Sequence, residues 1–248
     1  MRYFIELSYN GRAYHGWQIQ PNAITVQEVI EKALSKLLRQ DITIVGAGRT
    51  DAGVHATQMF AHFDVNHSID DQLAYRLNAF LPKDIAIHDI FRVTDEAHAR
   101  FDALSRTYIY KVSQNKNVFS YDFAYALGNA LDIDKMNEAC DILYVYKDFK
   151  CFSKAHTDVK AYNCEIMSAN WKSDDGQLFF TIKADRFLRN MVRAIVGTMI
   201  NIGTGKLEVD DLHHIIKSKN RGEAGYSVPA HGLYLNKIEY PLSIRISN

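Results

Sequence analysis

The chain has 248 residues, 47% of them hydrophobic, 23% charged and only four of them proline, which excludes a disordered or fibrous protein. Lys plus Arg and Asp plus Glu both number 29, so the net charge of zero excludes a uniformly basic coat protein while leaving room for a local basic groove. The three cysteines, Cys140, Cys151 and Cys164, are too few and too scattered for a disulfide framework.

Residues 2–9 read as a strand, and Asn10-Gly11 as the turn that follows. A helix is expected from Val26 to Arg39, because Val26, Val29, Ile30, Ala33, Leu34, Leu37 and Leu38 share one face at a 3.6-residue period. Thr25, with Glu28 three residues on, forms a capping box at its start. Strands are expected at 42–45 and 58–65, a second helix at 70–80 ended by Pro82, and a strand at 84–93. The second half repeats the order, with strands at 107–113, 164–171, 178–184 and 233–240. Its helices are expected at 134–144, 187–202 and 208–219. The chain is therefore expected to be α+β, with two ferredoxin-like β-α-β-β-α-β halves, antiparallel sheets and a catalytic cleft between them. Residues 1–104 would form the N-terminal half and 105–248 the C-terminal half.

The segment from Met1 to Glu6 carries no apolar signal core. The longest apolar stretch, Met191 to Ile202, is interrupted by Arg193 and Asn201 and is not expected to span a bilayer. A reduced, cytoplasmic compartment and no membrane partner are the expectation.

The segment Gly46-Ala47-Gly48-Arg49-Thr50-Asp51-Ala52-Gly53-Val54-His55-Ala56 is rich in glycine, which invites a phosphate-binding reading. A dinucleotide fingerprint requires glycine where Asp51 stands, and a P-loop requires Lys and Ser or Thr where Val54-His55 stand. Both nucleotide readings fail. What remains is a tight loop with an arginine and a carboxylate two residues apart, and on residue type alone such an aspartate more often caps nearby amides than reacts.

Gly48 to Ala56 resembles the signature of the TruA family of tRNA pseudouridine synthases. Further segments resemble the same family in the same order: Tyr9-Asn10-Gly11, Gly16-Trp17-Gln18, His98-Ala99-Arg100-Phe101-Asp102-Ala103 and Arg106-Thr107-Tyr108 in the first part of the chain. Phe187 to Arg193 and Gly232-Leu233-Tyr234-Leu235 continue the resemblance. The chain departs from the family pattern at Tyr146–Phe149, at Cys164 and at Ser227-Val228-Pro229.

The resemblance implies an enzyme that isomerises uridine to pseudouridine in the anticodon arm of tRNA, at positions 38, 39 and 40. It implies a homodimer; no organic cofactor is expected. Asp51 takes the family's nucleophilic position, Arg193 that of its cationic partner, and Tyr108 a place against the target uracil. A carboxylate suits this chemistry because cleaving a glycosidic bond builds positive charge on the sugar, which a fixed anion stabilises or attacks. The target base lies in a folded arm and must be flipped out, and Arg49 is the candidate to fill the vacated space or hold a phosphate. Arg100, Arg106, Arg186 and Arg189 are candidate phosphate contacts. His55 is expected to shape the loop, and Cys151, His156 and Cys164 lack paired metal-ligand spacing, so no metal is expected. Two other classes compete: a catalytically silent RNA-binding or RNA-folding protein, and a glycosidic hydrolase that releases the base.

Overall fold

The computed structural model describes residues 1–154 and 161–246. Its first strand, β1 (Arg2–Tyr9), alternates nearly as the sequence does, with Phe4, Ile5 and Leu7 fully buried. Helix α1 (Val26–Leu38) begins where the capping box places it: Thr25 accepts a hydrogen bond from the Glu28 amide at 3.4 Å. Val26, Ile30, Ala33 and Leu34 form its buried face. Gln27 is also buried, because its side-chain amide donates to the Ile44 carbonyl at 3.0 Å.

That bond explains a difference from expectation. The strand expected at 42–45 shrinks to β2 (Val45–Gly46). The Ile42 amide donates to Ser35 Oγ at 2.8 Å, and the Ile44 amide to Glu31 at 2.8 Å. Side chains of α1 thus take the backbone groups that a strand partner would have used.

β3 (His55–Asp64) starts inside the glycine-rich signature, earlier than periodicity suggested. α2 (Leu73–Phe80) and β4 (Ile85–Arg92) follow. β1 lies between β3 and β4 and is antiparallel to both, with Ile5 opposite Ala61 on one side and Ile90 on the other. β2 pairs antiparallel with β3.

The chain divides into two compact units, Met1–Leu104 with Tyr234–Asn248, and Ser105–Leu233. In the second unit, β5 (Ser105–Ser113) pairs antiparallel with β8 (Gln177–Ala184), which pairs antiparallel with β7 (Ile166–Asp174). A two-residue ladder, β6 (Tyr125–Ala126), runs parallel to β5 and was not expected. The helices are α3 (Ile133–Leu143), α4 (Met191–Gly203) and α5 (Asp211–Ser218).

Two details depart from a purely antiparallel pair of halves. The closing strand β9 (Leu233–Glu239) pairs in parallel with β3, His55 opposite Tyr234 and Ala56 opposite Leu235, so the C-terminal segment belongs to the first unit. α4 also begins four residues later than its apolar run suggests, because Asn190 takes a left-handed conformation with φ of 69°. A short polar side chain tolerates that conformation and the helix starts after it. No helix among the described residues is long and apolar enough to cross a membrane.

His62, on β3, is buried in the first unit, and its Nδ1 accepts from the Ala99 amide at 3.1 Å. Burial, with the positive charge of Arg2 beside it, pushes its pKa down from the ordinary 6.5 to about 4. A histidine whose folded pKa is depressed is protonated first in the unfolded chain as pH falls. Its contribution to stability is therefore intact above about 6.5 and declines progressively as pH falls toward 4. His62→Gln is expected to flatten part of that decline in urea-unfolding curves taken across this window. An unchanged pH slope would contradict the assignment.

Candidate active site

The Asp51 loop is held mainly through its backbone. Tyr9 and Thr50 share a buried hydroxyl hydrogen bond of 2.9 Å, which ties the loop to the end of β1. The Trp17 amide donates to the Thr50 carbonyl at 3.3 Å, and the Gly53 amide donates to the Tyr14 carbonyl at 3.3 Å. Within the loop, the Val54 amide donates to the Asp51 carbonyl at 3.1 Å, closing a tight turn around the half-buried aspartate. The opening segment of the chain, 9–17, therefore brackets the loop on both sides of Asp51.

Gly16 makes this bracket possible. Its φ is +89°, and a Cβ there would overlap the Thr50 carbonyl oxygen and meet the Asp51 carbonyl carbon at 3.2 Å. Only glycine meets both demands at once. Trp17 packs its indole against Gly46, where a Cβ would meet the ring at 2.5 Å.

His55 follows the turn and is buried. Its Nδ1 accepts from the Gly11 amide at 3.1 Å, which requires that nitrogen to be unprotonated, and its ring stacks on Tyr234 with centroids 4.7 Å apart. Both contacts are those of a residue that shapes the loop.

Arg49 is exposed, and it meets Arg100 at the wall of one cavity of about 180 Å³ whose lining includes Trp17, Gln18 and Gly48. Two guanidinium-bearing residues around one small cavity suit an anionic or planar group. Arg100 also lies over the Phe101 ring at 5.7 Å.

The remaining candidates lie in the second unit. Tyr108 sits on β5 opposite Ile182, half-buried, with Phe187 edge-on at 5.1 Å and 86°. Arg106 donates through Nη1 to the Asp185 carbonyl at 2.8 Å, so its side chain braces the turn after β8. Arg186 and Arg189 are exposed in the segment between β8 and α4. The Arg186 amide donates to the Asp185 carboxylate at 2.7 Å, and the Arg189 carbonyl accepts from the Lys154 amide at 3.0 Å.

Arg193 lies in the first turn of α4, half-buried, and its Nε donates to the Val228 carbonyl at 2.7 Å. The structure thus brings Arg49 and Arg100 together in the first unit, which also carries Asp51, and places Tyr108, Arg106, Arg186, Arg189 and Arg193 in the second. Sequence reasoning marks Ser227-Val228-Pro229 only as a departure from the family pattern and gives 221–226 no role, because this segment, whose Val228 meets Arg193, carries no periodic signal.

The cysteines are buried, and burial pushes each thiol up to about 12, so none is poised as a thiolate nucleophile. His156 lies outside the described residues. Among those described, no group of three His, Cys, Asp or Glu residues is arranged to hold a metal ion.

Comparison with known proteins matches the chain to one family. A family model described as tRNA pseudouridine synthase matches residues 7–102 and 146–241. The tRNA pseudouridine synthase A of Parabacteroides distasonis is 55% identical over 242 residues, covering 97% of this chain and 96% of the relative. That of Bacteroides fragilis is 53% identical over 246 residues, covering 98% of each. That of Bacillus pumilus is 40% identical over 239 residues, covering 94% of this chain and 97% of the relative.

The bracket around Asp51 makes a stability prediction independent of chemistry. Gly16→Ala is expected to destabilise the protein by about 1–3 kcal/mol, from overpacking and a strained φ together. Urea unfolding with an unchanged midpoint would contradict the packing of Gly16 on the loop.

Proposed function

The chain belongs to the tRNA pseudouridine synthase family, and from that premise we propose that it isomerises uridine in the anticodon stem-loop of tRNA with Asp51 as the reacting carboxylate. The targets in this reading are the uridines at positions 38, 39 and 40. The observation that carries the reading is the Asp51 loop, whose backbone is held from both sides by residues 9–17 in a chain that matches the family over 7–102 and 146–241. A reacting carboxylate needs fixed placement more than it needs any special residue type around it.

In the proposed reaction the C1′–N1 bond of uridine breaks, the base turns, and a C1′–C5 bond forms. The C5 hydrogen leaves to solvent, and N1 ends protonated, so the substrate and product are isomers. Asp51 stabilises the positive charge that develops at C1′ or attacks that carbon. In this reading Arg193 takes the role of the family's cationic partner, balancing the negative charge of the reacting group. Tyr108 lies against the uracil, where it stacks on the base or helps remove the C5 proton. Arg49 occupies the space left by the flipped base or grips its phosphate, and Arg100, Arg106, Arg186 and Arg189 hold the RNA backbone.

A homodimer in the cytoplasm completes the reading. A chain of zero net charge presents a more extended basic surface to tRNA when two copies act together. Sedimentation as a stable monomer at working concentration would remove that part.

The test is release of tritium from tRNA labelled at uridine C5. The wild-type chain is expected to release label, and Asp51→Asn to lose at least about a thousand-fold in rate, the scale on which removal of a covalent nucleophile acts. Intact tRNA binding without release by the wild type would favour the silent RNA-binding protein. Free uracil in the mixture would favour the hydrolase.

A further inference from the structure

Arg193 is not held by its helix alone. The segment 224–229 has no regular secondary structure, yet it lies flat along α4. A Cβ at Gly197 would overlap the Tyr226 carbonyl oxygen, and one at Gly225 would overlap the Thr198 amide nitrogen. The two glycines therefore let backbone meet backbone. The Gly225 amide donates to Thr198 Oγ1 at 2.8 Å, and the Val228 amide donates to the Arg193 carbonyl at 3.3 Å. Val228 then accepts the Arg193 side chain: Nε donates to its carbonyl oxygen at 2.7 Å. Engaging Nε sets the plane of the guanidinium, and with it the direction in which the two terminal nitrogens face.

Both ends of this strap are tied down. At its far end the Pro229 carbonyl accepts from the hydroxyl of Tyr110 at 2.8 Å. Tyr110 is fully buried on β5, two residues from Tyr108 and on the same face of the strand. At its near end one guanidinium makes the tie. Arg221 donates through Nη1 to the Gly225 carbonyl at 3.0 Å and to the Ala224 carbonyl at 3.4 Å. Its Nη2 donates to Ser227 Oγ at 2.8 Å. Ser227 Oγ also accepts from Asn190 Nδ2 at 2.6 Å, and Asn190 is the left-handed residue from which α4 starts.

We propose that Arg221 is a positioning residue for the reaction: by clamping the strap through Gly225 and Ser227 it fixes the Val228 carbonyl that orients the Arg193 guanidinium. This rests on the assignment of Arg193 to the reaction under the proposed function. Arg221 itself touches no reacting atom. Its effect passes through a carbonyl oxygen whose displacement would turn the guanidinium of Arg193.

The experiment compares single-turnover tritium release and tRNA affinity for four variants: Arg221→Ala, Arg221→Lys, Arg193→Lys and the double variant Arg193→Lys/Arg221→Ala. Arg221→Ala is expected to slow the chemical step by on the order of a hundred-fold, the cost of a misplacement near 1 Å, with tRNA affinity unchanged. Arg221→Lys recovers part of the rate, because an ammonium keeps one carbonyl bond and loses the fork. In the Arg193→Lys background the Arg221→Ala change has little further effect, since a shared route makes the losses non-additive. A purely structural role would not produce that loss of additivity.

Full multiplication of the two losses, or wild-type rate for Arg221→Ala, overturns the proposal while leaving the role of Arg193 standing. Wild-type rate for Arg193→Lys overturns the assignment beneath it, and the proposal with it. Should Arg221→Ala fail to fold, Ser227→Ala takes its place in the same cycle. It removes one acceptor, is expected to lower the rate in the same direction, and overturns the proposal if its effect multiplies with that of Arg193→Lys.

Discussion

A loop of small residues holds a carboxylate in one place only if something other than its own side chains restrains it, because glycine loses more conformational freedom on ordering than any other residue. Here the restraint is the opening segment of the chain. Tyr9 reaches Thr50 through a hydroxyl, Trp17 and Tyr14 bond the loop backbone on either side of Asp51, and Gly11 bonds the ring of His55. Each contact comes from a segment whose own position is set by β1 and by the start of α1, where the Val26 and Gln27 amides donate to the Gly16 and Trp17 carbonyls at 3.2 and 3.1 Å. The aspartate is thus coupled to the core of its unit through a short chain of hydrogen bonds, and net free energies near 1 kcal/mol each are enough when they act together on one short segment.

The second unit solves a related problem with a different device. An arginine near the start of an apolar helix is costly to bury unless its donors are met. Val228 meets one of them, and it is delivered by a strap that has no ladder of its own. Polar side chains at its two ends replace the ladder, with Arg221 and Ser227 on one side and Tyr110 on the other. A strap tied mainly by side chains is a natural place for small substitutions to alter orientation without unfolding the unit.

Much of this was legible in the sequence, for reasons that differ by element. α1 was legible because its buried face follows the helical period and Thr25 marks its start. β1 was legible from its apolar run and the Asn10-Gly11 turn. The strand at 42–45 was misjudged because Ser35, Gln27 and Glu31 satisfy its backbone from the helix, which no local pattern reveals. The late start of α4 turns on the single left-handed Asn190, and the parallel pairing of β9 with β3 joins segments far apart in the chain. The proposed role of Asp51 rests on the resemblance of its loop to a family signature; residue type alone favours an ordinary loop aspartate. Arg221 was not legible at all, since its partners are mostly backbone carbonyls, which leave no mark on sequence.

The most direct test of Asp51 as the reacting carboxylate is a crystal structure of the protein with a tRNA in which the target uridines carry fluorine at C5. Fluorine in place of hydrogen removes the proton whose loss completes the isomerisation, so the complex is held after the base has engaged. The account predicts the Asp51 carboxylate bonded to C1′ of the flipped nucleotide or within about 3–3.5 Å of it, the separation of a near-attack geometry. A flipped nucleotide whose C1′ faces another carboxylate, with Asp51 turned into its own loop, would contradict it.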